Sequence, residues 1–128
     1  MRNEKWSQAF EAMRGKALEL EAVGIMAIAE KTANGEIDMQ LQSCGKDFDG
    51  WGNFYSIACS KIMEMIRTGK PSGTLAPLAG EFENFVGGTL AKASNGMLVG
   101  DYYVTFSGAA GEIDLEIAQV GLDILLTD

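Results

Sequence analysis

The chain has 128 residues, and 47% of them are hydrophobic, enough apolar material for one folded domain whose core needs no metal or disulfide staple. Its formal net charge of −8 argues against nucleic acid and anionic membrane surfaces as partners, because both reward a basic face. The opening residues 1–6 carry no apolar signal core and no run reaches membrane-spanning length, so the cytoplasm is the expected compartment.

Trp6, Phe10, Met13, Ala17 and Leu20 step by four and three, which predicts an amphipathic helix with Gly24 as its stop. Ile25 to Ala29 is apolar on both faces and reads as a central strand. Asn34-Gly35 is a two-residue hairpin signal. After it Ile37, Met39 and Leu41 alternate with Asp38, Gln40 and Gln42, the pattern of a half-buried strand at a sheet edge.

Residues 47–52 read as a loop. Phe54, Ala58, Ile62 and Met65 then mark a second helix, with Asn53 as N-cap, Arg67 at the negative end of its dipole, and Gly69 and Pro71 closing it. Residues 69–80 hold both prolines and read as a long surface loop rather than a domain linker. The β pattern resumes at Phe85, where Gly87-Gly88 suggests a bulge or a close backbone approach. Asn95-Gly96 predicts a second hairpin, returning through Tyr102, Val104 and Phe106 alternating with Asp101, Tyr103 and Thr105. A small-residue turn at Ser107 to Ala110 leads into a last helix near Glu112, with Ile113, Ile117, Val120 and Ile124 as its apolar stripe. The order is helix, hairpin, helix, hairpin, helix: an α/β (α+β) domain over residues 1–128, with an antiparallel sheet of about four to five strands covered by helices.

Four groups of residues carry possible chemistry. The Ser107 to Asp114 turn offers free backbone N–H groups and the Ser107 hydroxyl to an anion. Glu112 and Asp114 complement the same helix dipole and repel such an anion, so capping is the stronger reading there. Lys61 serves as a base or Schiff-base amine only if buried; three residues before Glu64, it fits an ordinary surface pair. Glu30, Glu36, Asp38, Asp47 and Asp49 read as a solvated acidic surface, and Asp47-Phe48-Asp49-Gly50 lacks the rest of a calcium loop. With no histidine in the chain, a Ser–His–Asp triad is excluded. Cys44 and Cys59 are too few for zinc and suit free thiols, Cys59 buried on its helix face. No Walker loop or dinucleotide glycine fingerprint occurs.

Ser107-Gly108-x-x-Gly111-Glu112-x-Asp114, followed by Ile117-Ala118-x-x-Gly121-Leu122, resembles the ending of the GlcG/HbpS-like family of heme-binding-related proteins. Ser56-Ile57-Ala58 with Lys61 is similar to that family's second helix, and Phe85-Val86-Gly87-Gly88 to its Gly-Gly segment, so the likeness spans residues 24–126. The chain departs from the family at Thr89-Leu90, where a proline is common, and in the bulky Tyr102, Tyr103 and Phe106. The resemblance implies a profilin-like layered domain that self-assembles as a dimer or a larger ring. It also implies a small ligand or heme-like tetrapyrrole, held by Lys61, Gly87, Gly88, Ser107, Gly108, Gly111, Glu112 and Asp114. Heme would have no histidine to ligate it, leaving Cys44, Cys59, a methionine such as Met97, or Tyr102 and Tyr103. The expected function is non-catalytic binding of a small molecule by a homo-oligomer, and the alternative is an enzyme or enzyme-accessory protein acting on a small metabolite. Any pocket is expected between the 69–80 loop and the Ser107 to Asp114 turn.

Overall fold

The computed structural model describes residues 2–45, 51–73, 86–91 and 100–127. The elements run α1 (Arg2–Glu19), β1 (Gly24–Thr32), β2 (Ile37–Cys44), α2 (Trp51–Thr68), β3 (Gly88–Ala91), β4 (Gly100–Ser107) and α3 (Gly111–Leu125). The four strands form one antiparallel sheet in the order β2-β1-β4-β3. This is the expected α+β arrangement. The β4 return of the second hairpin is in place, while its Asn95-Gly96 turn lies outside the described residues.

Helices cover both faces of the sheet, so its two inner strands are apolar on both sides. Met26, Ile28, Val104 and Phe106 face α1 and α3, meeting Trp6, Phe10, Met13, Ile117 and Leu122. The alternate residues Ile25, Ala27, Ala29 and Tyr103 face α2, meeting Ala58, Ile62 and Met65. Strand alternation therefore puts Tyr103 in the second core, opposite to Val104 in the first. β2 is an edge strand, with Ile37, Asp38 and Gln40 exposed and Met39 and Leu41 half-buried against α2.

Several local expectations change. The stop of α1 is Glu21, not Gly24. Glu21 takes φ 57, and the amides of Glu21 and Ala22 bond back to Leu18 O and Ala17 O, a Schellman closure. Gly24 instead opens β1, where a Cβ would sit 2.0 Å from the Ser107 carbonyl oxygen. The first hairpin turns through three residues rather than two. Thr32 and Glu36 bracket it, Thr32 N–H donates to Glu36 O, and Gly35 takes φ 89. α2 begins at Trp51, so Asn53 lies inside the helix rather than at its cap. β3 begins at Gly88; Phe85 lies outside the described residues.

The buried face of α3 is Asp114, Ile117, Ala118, Gly121, Leu122 and Leu125, with Ile113 and Ile124 only partly buried. The expected branched stripe is therefore rotated. The packing surface is built on small residues that let α1 approach: a Cβ on Gly121 would lie 2.7 Å from Met13 Sδ. Cys44 is buried and Cys59 only half-buried, a correction to the core role expected of Cys59. Glu30 is buried in the β1 interior, unlike the exposed Glu36 and Asp38, so the acidic-surface reading fails for it; Asp47 and Asp49 lie outside the described residues.

Candidate functional site

Most of the buried polar side chains gather at one corner, where β3 begins beside the end of β4. Lys61, Ser72, Thr105, Ser107 and Asp114 are all there, and all are nine-tenths or more buried. The corner exists because of Gly87. Phe106 N–H donates to Gly87 O at 3.3 Å, which starts the β3–β4 ladder. In an antiparallel ladder the N–H and C=O of one residue point toward the same neighbour. Phe106 O therefore also faces β3, and Lys61 Nζ donates to it at 2.6 Å. The lysine of α2 thus reaches the sheet from one face. Asp114 of α3 reaches it from the other, and its Oδ2 lies 3.1 Å from Nζ.

Gly87 leaves the room for this. It has φ 132, a conformation L side chains rarely adopt, and a Cβ on it would lie 2.5 Å from Lys61 Nζ and 2.7 Å from Asp114 Cβ. Gly88 is filled from the α2 side. Its N–H donates to Ser72 Oγ at 2.8 Å, and a Cβ there would lie 2.7 Å from Met65 Cε. Val86 packs over Gly73 and Gly111. The sequence reading of Gly87-Gly88 as a close approach is thereby explained in atoms.

Lys61 is only 2% exposed, which corrects its reading as a surface partner of Glu64. Glu64 instead accepts a hydrogen bond from Gly73 N–H at 2.8 Å. Burial pushes the Lys61 ammonium below its ordinary value, opposed by the Asp114 charge. Burial likewise pushes the Asp114 carboxyl up, opposed by Lys61 and by the backbone N–H groups of Ala109 and Gly108. Asp114 Oδ1 accepts from Ala109 N–H at 2.9 Å, so the carboxylate closes the Ser107 to Asp114 turn as well as the ion pair. Ala110 is the N-cap of α3 and has no side-chain cap bond. Glu112 is exposed in the first turn, where it complements the dipole without touching the corner.

Of the residues expected at a site, the fold brings Lys61, Gly87, Gly88, Ser107, Gly108 and Asp114 together. Gly111 stands one step away under Val86, and Glu112 points to solvent. Sequence reasoning missed Ser72 and Thr105. Ser72 follows Pro71 in the loop, without periodicity. Thr105 was absorbed into the alternation of β4; its only signal was polarity on a face whose neighbours, Tyr103 and Ile25, are core. Among the described residues, Thr105 Oγ1 and Ser107 Oγ are buried with no hydrogen-bond partner.

As chemistry, the corner is not poised for proton transfer. The Lys61 amine is sealed, donates to a carbonyl and pairs with its own carboxylate, so a substrate would have to break both bonds to use it as a base. The donors named for heme fit poorly. Burial pushes the Cys44 thiol up, which disfavours the thiolate. The Tyr103 phenol is pushed up to about 12, first by burial and then by the Asp101 charge, so it holds its proton. Tyr102 is half-buried against the core, Cys59 is half-buried, and Met97 lies outside the described residues.

Comparison with protein-family models finds no match, and comparison with curated proteins finds none either. Among the described residues no helix is long and apolar enough to cross a membrane.

Proposed function

We propose that the chain is a cytoplasmic, non-catalytic binding domain of the GlcG/HbpS-like type that holds a small metabolite and works as a homo-oligomer. The observation that carries this reading is the polar corner itself. Two buried hydroxyls with no partner among the described residues lie beside a buried ion pair, and a polar group left so costs about 1–3 kcal/mol, which a bound acceptor would offset. The motif residues behind the family resemblance, Lys61, Gly87, Ser107, Gly108 and Asp114, converge on that corner. A heme-like tetrapyrrole is the less favoured ligand, because the cysteines and described tyrosines named for it are buried, protonated or packed. The enzyme reading, with Lys61 as acid–base group, is disfavoured by the same sealing of its amine.

A thermal-shift screen of small carboxylates, alcohols and carbonyl compounds, run beside a heme titration, tests this. A saturable rise in melting temperature with a small metabolite supports the reading. A saturable, stoichiometric Soret shift with heme and none with metabolites would replace the metabolite by a tetrapyrrole. Turnover of any compound in the screen would restore the enzyme reading.

A further inference from the structure

Resting on that reading, we propose that Thr105, Ser107 and Lys61 form a donor site for one acceptor oxygen, supplied by the carboxylate or carbonyl of a small ligand or by an internal water. Thr105 and Ser107 are two apart on β4, so their side chains project to the same face, the one that also carries Tyr103 toward α2. Residues at that spacing stand about 7 Å apart, so an oxygen midway is near hydrogen-bond reach of both hydroxyls. The carbonyl between them, Phe106 O, is the one that Lys61 Nζ grips. The ammonium has three donors, and two are engaged, by Phe106 O and Asp114 Oδ2.

Across the sheet Thr105 stands between Ala27 of β1 and Gly88 of β3, with Met65 Cε and Ser72 Oγ in the place a Gly88 side chain would take. Ser107 pairs with Ile25 on β1, while β3 starts only at the position opposite Thr105. Both hydroxyls can donate and the Lys61 ammonium can only donate, while the Asp114 carboxylate is already matched by Lys61 and by backbone N–H groups. An acceptor oxygen fits such a set, and the ammonium charge disfavours a cation.

The test uses Thr105→Val and Ser107→Ala, each melted with and without acetate as the smallest carboxylate probe. Valine suits a strand at least as well as threonine, and removing an unpaired buried hydroxyl stabilises a protein. If the hydroxyls hold nothing, both variants therefore melt at or above wild type. If they hold an oxygen, both melt lower, by about 3 °C or more. Acetate raising the melting point of wild type but of neither variant assigns the oxygen to a carboxylate. Both variants melting lower with no acetate effect assigns it to an internal water, in which case the oxygen site stands even if the metabolite screen fails. Either variant melting at or above wild type overturns the proposal.

Discussion

Lys61 shows how far one residue's role depends on what faces it. Its spacing to Glu64 suits a surface pair, yet its partner is Asp114, fifty-three positions away, because Gly87 opens the sheet edge between them. No local pattern announces a pair made across so long a separation; the Gly-Gly step was the only visible sign. Removing one member leaves a buried charge uncompensated. Lys61→Met should cost about 3–5 kcal/mol in urea denaturation. The double variant Lys61→Met/Asp114→Leu should recover part of that loss, because the unpaired charge is gone, while Phe106 O is left without its donor and Ala109 N–H without its acceptor. Additive losses in that cycle would mean that the two side chains do not act as a pair. Tyr103 gives a pH test of the second core. Its phenol ionises at about 12 in the folded chain against 10.0 when free. Between those values the unfolded chain releases a proton that the native state keeps, so stability falls as pH rises through the window. Wild type should therefore lose stability relative to Tyr103→Phe between about pH 10 and about pH 12, by about 1.4 kcal/mol for each pH unit inside the window. A constant difference would show a Tyr103 hydroxyl with an unshifted pKa.

At the scale of elements, the order and type of the described helices and strands were legible, because the helical stripes, the apolar run of β1 and the alternation of β2 and β4 are distinct patterns. What stayed hidden were ends and rotations. The end of α1 is closed by Glu21 in a left-handed conformation, for which Gly24 was the more obvious candidate. The stripe of α3 was assigned to its branched residues, whereas the packed face uses Asp114, Ala118 and Gly121. Hydrophobicity cannot find that face, since its purpose is close approach and one of its members is charged. Two glycines separate these roles experimentally. Gly15, in α1, has open space where a Cβ would go, so Gly15→Ala should stabilise by about 0.5–1 kcal/mol through backbone entropy. Gly121→Ala meets the same propensity gain, but its Cβ lies 2.7 Å from Met13 Sδ, and pushing α1 away should cost about 1–3 kcal/mol net. Chemical denaturation of the two variants side by side checks both signs. Equal stabilisation would mean that the α1–α3 contact is loose.

For the whole molecule, the layered sheet supplies rigidity on both faces and concentrates its buried polarity at one corner, where three elements meet around a missing side chain. The candidate site was half visible in the sequence. The Ser107 to Asp114 turn was visible as a junction between strand and helix, and its acid Asp114 accepts the Ala109 amide of that turn, while the N-cap residue Ala110 has no side-chain cap bond. The missing half was Thr105 and Ser72, polar residues that gain meaning only from the burial around them. Native mass spectrometry of the protein purified from its own host tests the central claim most directly, because it reports assembly and bound small molecules together. A homo-oligomer that carries a small mass, released on unfolding, is the expected result. A bare monomer would contradict both parts of the proposed function.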